Sequence, residues 1–440
     1  MFGLGRVGLV TAVCLAKKGY RVAGIDPDTR LLELIRRAQA PFHEPDLSEY
    51  LKEVVGNGLL RVSSDPSSNS SSRLTFITVG TPSLHDGSLD LTFIRSAAKS
   101  IARTLPGKGL SQLVVIKSTV TPGTARFIVK PILQRNSGKD KCFRLCSNPE
   151  FLREGKAIQD TEFPDRIVIG SGDPKAIREL AAFYKRFHAR SPPPIVRTSH
   201  ENAELIKCAN NAFLAAKISL INSFANIAEK VPGGDVQSVA EGIGLDSRIG
   251  RGHLNAGLGW GGSCFPKDLP ALIHFSKKVH YNPELLSAAW KTNRKQWQVA
   301  LQMAKKDLGS LRGKNVAVLG LAFKPDTDDM RMAVSMPLVR ALIRRGARVR
   351  AYDPAATDNA KRIFGKAIKY ERASLECLTG ADCCIVVTEW DEFKNISPSA
   401  FRDRMRRPVV IDGRRIYNPK EFVDAGISFH AVGLGPLHPP

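Results

Sequence analysis

The sequence lacks the features that would place the protein in a membrane or around a metal ion. Its 440 residues contain no apolar run of about 18 or more, the length that a transmembrane helix requires. The eight cysteines form no C-x-x-C pair and no histidine cluster accompanies them, so we expect neither a metal site nor a disulfide framework. No signal peptide is visible, which favours a cytoplasmic location. Four cysteines in apolar surroundings are expected in the core: Cys14, Cys208, Cys383 and Cys384.

Acidic residues are scarce relative to basic ones. Lysine and arginine total 65 against 42 aspartates and glutamates, which gives a formal net charge of +23. Such a balance is compatible with binding of nucleic acid or another polyanion. The basic residues are scattered, however, and no basic motif interleaved with aromatics appears. A solvated basic surface with some attraction for anionic nucleotides is therefore the preferred interpretation, with no nucleic-acid or membrane partner.

Strand-like and helix-like segments alternate in two parts of the chain. Residues 74–79 predict a strand and residues 91–104 a helix, which is the βαβ pattern of a parallel sheet covered on both faces. One long helix is predicted from Glu201 to Glu229, and helical segments continue to about Gly309. The sequence predicts an α/β protein with two Rossmann-like doubly wound parallel-sheet domains and a central helical dimerisation region. The predicted boundaries are 1–195, 196–310 and 311–440.

The two α/β parts share a weak internal repeat. Residues 19–27 read Gly-Tyr-Arg-Val-Ala-Gly-Ile-Asp-Pro, and residues 346–354 read Gly-Ala-Arg-Val-Arg-Ala-Tyr-Asp-Pro. Each has a helix-ending glycine, a strand and then Asp-Pro. Two Rossmann-like units explain this most economically, although chance similarity of two βαβ units would leave the fold prediction unchanged.

A glycine-rich loop opens the chain. Gly3, Gly5 and Gly8 have the G-x-G-x-x-G spacing that permits a tight turn, a close approach to a pyrophosphate and close helix–sheet packing. Asp26 ends the next strand, where a carboxylate can accept hydrogen bonds from a ribose; this favours NAD over NADP, a preference that Arg30 weakens slightly. The strand that should precede Gly3 is reduced to two residues, so we expect a truncated first strand.

A second glycine-rich stretch leads into Cys264. Pro266 suits the first turn of a helix, and a thiolate at a helix N-terminus is stabilised and reactive. Asp268, four residues on, could act as a base or hold a water molecule. The alternative is a structural turn in which Asp268 binds nearby N–H groups.

Two further segments carry polar groups at informative positions. Lys207 and Asn211 project from one face of the long helix, where a partly desolvated lysine could stabilise an oxyanion. The alternative is a snorkelling lysine paired with Glu204. Residues 148–155 follow a strand, where Glu150, Arg153 and Glu154 could line a ligand crevice or simply begin a helix.

These motifs together resemble the UDP-glucose/GDP-mannose dehydrogenase family, nearly end to end. An ordered set is more specific than any single motif. The signatures are Gly3–Gly8, Val79–Pro82, Lys117–Val120, Asn148–Gly155, Glu204–Asn211, Gly261–Asp268, Leu321–Asp329 and Asp412–Arg415.

The resemblance implies a four-electron oxidation that uses two NAD per turnover. Cys264 matches the nucleophile that forms a thiohemiacetal and then a thioester at C6 of the sugar. Lys207, Asn211 and Asp268 match groups that hold the oxyanion and activate water, while Glu150 and Thr119 match groups that assist hydrolysis. The cofactor-binding residues that we expect are Gly3, Gly5, Val7, Gly8, Asp26, Arg30, Thr81, Thr119, Glu154, Lys267 and Arg331. Substrate contacts are expected from Glu150, Phe151, Leu152, Arg153, Glu154, Lys207, Asn211, Asn255, Gly257, Gly261, Lys324 and Arg414, and from Arg248 across a dimer interface.

The resemblance implies UDP-glucose as substrate and UDP-glucuronate as product, in a homodimer or a higher homo-oligomer. GDP-mannose, which would undergo the same chemistry, is the alternative substrate. Two other classes stay open: a one-step 3-hydroxyacid-type dehydrogenase, and a truncated relative that binds nucleotides without turnover.

Overall fold

The computed structural model describes residues 1–107, 111–138, 142–189 and 191–436. The chain divides into two compact units. The first comprises Met1–Asn210 and Pro270–His280, and the second comprises Asn211–Leu269 and Tyr281–Pro440.

The first unit contains a five-stranded sheet and a two-stranded parallel pair. In the larger sheet the strands follow their order in the chain, and neighbours are parallel except for a single antiparallel bridge between Ser147 and Gly170. The pair consists of β1 (Val22–Ile25) and β2 (Leu60–Ser63), and the larger sheet of β3 (Leu74–Ile77), β4 (Ser111–Ile116), β5 (Cys142–Ser147), β6 (Ile167–Gly170) and β7 (Ile195–Thr198).

The first three residues connect these two sheets. Phe2 forms parallel bridges with Ile25 of β1 on one side and with Ile77 of β3 on the other. Backbone hydrogen bonds run from Phe2 N to Phe76 O and from Gly3 N to Ile25 O, each 2.8 Å. The short first strand predicted from the sequence therefore lies in the central position, with Met1 and Phe2 buried.

Apolar side chains cover both faces of the five-stranded sheet of the first unit. Along β4, Leu113 and Val115 pack into one buried cluster, whereas Val114 and Ile116 pack into another. This alternation explains why the strand is apolar throughout, as expected for a sheet covered by helices on both sides. The helices are α1 (Arg6–Lys17), α2 (Thr29–Arg36), α3 (Leu47–Gly56), α4 (Thr92–Thr104), α5 (Lys130–Asn136), α6 (Ala157–Glu162) and α7 (Pro174–Phe187), with a 3₁₀ turn at Pro66–Asn69 and a π-helical segment at Ala125–Val129.

Two helices contribute residues to both units: α8 (His200–Ala228) and α10 (Phe265–Lys278). The long helix predicted from Glu201 to Glu229 is therefore confirmed to within one residue at each end.

The second unit contains a six-stranded parallel sheet, in which the strands named below follow the order β10-β9-β8-β11-β12-β13. Cys383 and Cys384 face opposite cores of this sheet, and all four cysteines predicted to be core residues are buried. Its strands are β8 (Asn315–Leu319), β9 (Arg348–Tyr352), β10 (Lys369–Tyr370), β11 (Cys383–Val386), β12 (Val409–Asp412) and β13 (Ser428–Ala431). Its helices are α9 (Val236–Gly244), α11 (Glu284–Gln296), α12 (Gln298–Leu308), α13 (Ser335–Arg344), α14 (Thr357–Phe364), α15 (Ser374–Leu378), α16 (Asp391–Lys394), α17 (Pro398–Arg404) and α18 (Pro419–Asp424).

The internal repeat is visible in backbone hydrogen bonds. Gly3 and Gly320 both have positive φ, 93° and 96°, and each donates its N–H to the last residue of the neighbouring strand at 2.8 Å. Asp26 accepts from Leu4 N at 2.8 Å, and Asp353 accepts from Leu321 N at 2.7 Å. The two units therefore share one strand–glycine–aspartate arrangement.

Candidate functional site

The three glycines of the first loop meet different steric demands. A Cβ atom on Gly8 would lie 1.9 Å from the carbonyl oxygen of Gly3, so α1 can pack this closely only without a side chain there. A Cβ on Gly5 would have no neighbour within 4 Å. Gly5 is the N-cap residue of α1 and is exposed, so a ligand can approach the start of the helix there. This loop fits the diphosphate of a dinucleotide, because helix N-terminal N–H groups attract anions.

Asp26 lies beside the loop. Its carboxylate accepts from Leu4 N at 2.8 Å and from Asp28 N at 3.0 Å, which leaves lone pairs for ribose hydroxyls. Arg30, in the first turn of α2, is exposed. The hydroxyl of Thr81 donates to Thr119 O at 2.8 Å and joins two of the predicted cofactor-binding residues. These residues fit a bound NAD.

Lys207 is a buried lysine with a carboxylate partner. Its side chain is 4% exposed, and its Nζ lies 3.1 Å from Glu150 Oε1. It also lies 5.3 Å from the centre of the Phe151 ring. The snorkelling alternative is therefore wrong, and the carboxylate that the structure places beside Lys207 is that of Glu150. Glu204 instead accepts from the backbone N–H groups of Gly123 and Ala125.

A second buried lysine was not assigned a role from the sequence. Lys117 follows β4 and lies 3.4 Å from both Asn148 Oδ1 and the Tyr184 hydroxyl. Burial lowers the pKa of Lys117 to about 8, against the attraction of Glu150. Lys117 opens the segment Lys117–Val120, one of the family signatures, and this position was the sequence feature that could have indicated a role for it.

Further predicted residues of the first unit lie in the loop after Glu150 and at the start of α1. Leu152 donates its N–H to Glu150 Oε2, which fixes the carboxylate relative to its own loop. Arg153 is exposed and forms a bidentate pair with Asp160. The carboxylate of Glu154 lies 3.9 Å from the guanidinium of Arg6 in the glycine loop. Val7 accepts a hydrogen bond from the hydroxyl of Thr11 through its carbonyl.

Cys264 lies immediately before α10 in the second unit. Lys267 and Asp268 donate their backbone N–H groups to its carbonyl at 3.1 and 2.8 Å. The thiol is partly exposed, and the Ser263 hydroxyl lies 3.5 Å from Sγ. A thiolate here would face the positive end of the helix, as the sequence predicts.

Asp268 connects the cysteine helix with the long helix. Its carboxylate is buried, accepts from Asn211 Nδ2 at 2.6 Å and pairs with Lys267. The turn interpretation, in which Asp268 binds nearby N–H groups, does not describe these contacts. The second unit therefore brings together Cys264, Asp268, Asn211 and Lys267.

Protein atoms surround the glycines between 257 and 262. A Cβ on Gly261 would lie 2.4 Å from Met332 O, and one on Gly257 would lie 2.9 Å from Gly413 O. Gly262 has φ +90° and packs against the Phe323 ring. Internal packing is therefore sufficient to require glycine at these positions.

Basic and amide side chains predicted to contact nucleotides are held by local partners. Arg414 donates to Val387 O at 2.6 Å and to Gly259 O at 3.2 Å. Arg331 pairs with Asp329, and the Lys324 ammonium lies 5.9 Å from the Phe323 ring. Arg248 is exposed and pairs with Asp246, while Asn255 accepts from Arg251.

The described part of the chain contains neither a metal-binding cluster nor a membrane-spanning helix. No group of three or more histidine, cysteine, aspartate or glutamate side chains there could hold a metal ion. No helix in the same ranges has the length and apolar character needed to cross a bilayer.

Three sequence models of one family match the chain. The NAD binding domain of the UDP-glucose/GDP-mannose dehydrogenase family matches residues 1–188, its central domain 201–295 and its UDP binding domain 317–419.

Curated relatives and solved structures are similar over nearly the full length. The UDP-glucose 6-dehydrogenase TuaD of Bacillus subtilis is 41% identical, over 98% of this chain and 92% of its own. The UDP-glucose 6-dehydrogenase AglM of Haloferax volcanii is 44% identical, over 96% and 98%. The structure of a UDP-glucose dehydrogenase from Pyrobaculum islandicum has a TM-score of 0.90 at 38% identity, over 98% of this chain and 96% of that chain.

Proposed function

Since the chain belongs to the UDP-glucose/GDP-mannose dehydrogenase family, we propose that it oxidises the C6 hydroxyl of UDP-glucose to the carboxylate of UDP-glucuronate. NAD is the cofactor, and two molecules are reduced per turnover. The observation that carries the proposal is Cys264, a partly exposed thiol at a helix N-terminus beside the buried Asp268–Asn211 pair.

The first unit is proposed to bind the cofactor. Gly3, Gly5 and Gly8 would let the start of α1 approach the diphosphate, and Asp26 would accept from the adenosine ribose. NAD, when bound, accepts a hydride from C6 in each of the two oxidations.

Cys264 is proposed to hold the intermediate. Its thiolate adds to the C6 aldehyde, a C–S bond forms, and the carbonyl oxygen takes a proton to give a thiohemiacetal. Loss of the hydroxyl proton and of the second hydride leaves a thioester. Water then attacks the carbonyl carbon, the C–S bond breaks, and the products are the carboxylate, the free thiol and a proton.

The buried polar groups would act on the oxygen atoms of these intermediates. Lys207 and Asn211 present donors suited to an oxyanion, and burial strengthens such an interaction. Asp268, Glu150 and Thr119 are proposed to orient or deprotonate the attacking water. Lys324 and Arg414 are proposed to bind the nucleotide end of the substrate.

We further propose the domain boundaries 1–195, 196–310 and 311–440, for cofactor binding, the central helices and UDP-sugar binding. A cytoplasmic location is proposed because the eight cysteines, all within the described residues, are thiols rather than disulfides, which fits a reducing compartment.

A homodimer is proposed from one face of α8. Phe213, Leu220 and Ile227 are spaced seven residues apart and are 69%, 54% and 61% exposed. Apolar residues at heptad spacing on a long helix are typical of a helix–helix interface, and a second copy offers the matching stripe. Arg248, also exposed, is proposed to reach the neighbouring site.

The test of the function is the ratio of NADH formed to UDP-glucose consumed. We expect two NADH per sugar, no released aldehyde, and loss of UDP-glucuronate formation in Cys264→Ser. One NADH per sugar would contradict the thioester route and favour a one-step dehydrogenase. Faster turnover of GDP-mannose would assign the alternative substrate, and NAD binding without turnover of either sugar would indicate a binding protein.

A further inference from the structure

One buried carboxylate of the first unit has no part in the proposed reaction. Glu204 lies one helical turn before Lys207 on α8 and is 3% exposed. A buried charge requires partners, and the identity of those partners indicates what the residue does.

Glu204 contacts two chain segments outside its own helix. Its Oε2 accepts from Gly123 N at 2.6 Å, and its Oε1 accepts from Ala125 N at 2.9 Å. Oε1 also accepts from the Ser147 hydroxyl at 3.3 Å, and that hydroxyl lies 3.0 Å from His200 Nδ1. The carboxylate therefore joins α8 to the end of β5 and to the segment that follows β4.

Each connected segment carries a residue of the proposed chemistry. Thr119 lies four residues before Gly123, Glu150 lies three residues after Ser147, and Lys207 lies three residues after Glu204. Of the two backbone N–H groups that the Glu204 carboxylate accepts, that of Ala125 is the first of the π-helical segment Ala125–Val129 and is not bonded within that segment's first turn.

Glu204 and Lys207 line the same small cavity. The cavity has room for about one water molecule and is also lined by Ser118 and Ser147. Because the space is so tight, a shift of any one segment would change the surroundings of Lys207 directly.

We propose that Glu204 is a positioning residue that fixes the Thr119, Glu150 and Lys207 segments relative to one another. This inference rests on the proposed function, which assigns water activation and oxyanion binding to those three residues. A glutamine at position 204 retains the size but replaces one acceptor oxygen with an NH₂ group. In either orientation that group would face a backbone N–H, that of Gly123 or that of Ala125, so residues 119–125 would have to shift.

The test compares Glu204→Gln with Glu201→Gln. Glu201 lies on the same helix and pairs with Arg126 at 3.6 Å near the surface, so its variant is the same Glu-to-Gln exchange at a position that does not accept from Gly123, Ala125 or Ser147. In Glu204→Gln we expect kcat to fall about ten- to a hundredfold, with KM for UDP-glucose within about twofold of the wild-type value. A covalent adduct on Cys264 should accumulate in quenched reactions and be visible by intact-protein mass spectrometry, since hydrolysis depends on the displaced groups.

Hydrogen exchange of the peptide spanning residues 119–125 provides a readout that needs no turnover. Exchange should be faster in Glu204→Gln and unchanged in Glu201→Gln. An inactive wild-type protein would overturn the proposed function, whereas unchanged exchange in Glu204→Gln would overturn the positioning role. Wild-type kcat, or a loss of kcat with a tenfold rise in KM and no adduct, would also overturn it. If Glu204→Gln does not fold, Ser147→Ala serves instead: a severalfold loss of kcat at constant KM supports the role, and a wild-type kcat refutes it.

Discussion

Gly5 and Gly8 provide a matched pair of substitutions that separates folding from cofactor binding. Both lie in the loop at the start of α1, and alanine at either position adds one methyl group. At Gly8 that methyl would lie 1.9 Å from Gly3 O and 2.7 Å from Thr78 Oγ1, whereas at Gly5 it would meet no protein atom within 4 Å.

The predicted magnitudes follow from these distances. Real Cβ contacts under 3.0 Å are essentially never seen, so Gly8→Ala must move α1 away from the central strand by roughly 1 Å. Overpacking of this kind costs roughly 1–3 kcal/mol, or about 3–10 °C in Tm for a unit of this size. Gly5 has φ −67°, which alanine tolerates, so Gly5→Ala should cost less than about 1 kcal/mol. Its methyl would occupy the diphosphate position and weaken NAD binding at least tenfold, about 1.4 kcal/mol.

Thermal unfolding without cofactor and calorimetric titration with NAD measure the two effects separately. Gly8→Ala should lower Tm, and Gly5→Ala should weaken NAD binding at a nearly unchanged Tm. A wild-type Tm for Gly8→Ala would refute the packing argument. Wild-type NAD affinity for Gly5→Ala would refute the assignment of the open surface to the diphosphate.

Three further predictions concern other parts of the chain. Burial raises the pKa of Glu204 to about 7, so the folded state holds this proton more tightly than the unfolded state does, and the contribution of Glu204 to stability falls as pH rises from about 4.5 to 7. In denaturant titrations at pH 5 and pH 8, Glu204→Gln should remove up to about 3 kcal/mol of this pH dependence of the free energy of unfolding. An identical pH dependence in both proteins would contradict the prediction. Asp235→Asn retains the oxygen that caps α9 but removes the counter-charge of the buried Arg415. The free energy of unfolding should therefore fall by about 3 kcal/mol, and a change below about 0.5 kcal/mol in urea unfolding would contradict this. Leu220→Glu should convert the proposed dimer to a monomer in light scattering, whereas an unchanged mass would exclude that helix face as the interface.

The elements that could be predicted from the sequence are those whose pattern lies within one continuous segment of the chain. The glycine loop, the α8 helix and the repeat ending in Asp26 and Asp353 combine regular spacing with residues that few other structures require. Four strands gave no such signal: β2, β7, β10 and β13. The strand β10 has two residues, and β7 follows three prolines and is only partly buried, so neither shows the continuous apolar run of a central strand.

The partners of charged residues could not be predicted in the same way. Glu204 and Lys207 stand three residues apart on one helix, a spacing that favours an ion pair in an isolated helix. Lys207 instead pairs with Glu150, which lies 57 residues earlier in the chain, and Glu204 accepts from the backbone N–H groups of Gly123 and Ala125. Helical spacing indicates which side chains can share a face of the helix. In a buried region, however, a charged side chain pairs with whichever group a neighbouring segment places within hydrogen-bond distance. The contacts of the candidate site residues in the first unit therefore depend on how β4, β5 and α8 pack, which is the relation that the Glu204→Gln experiment perturbs.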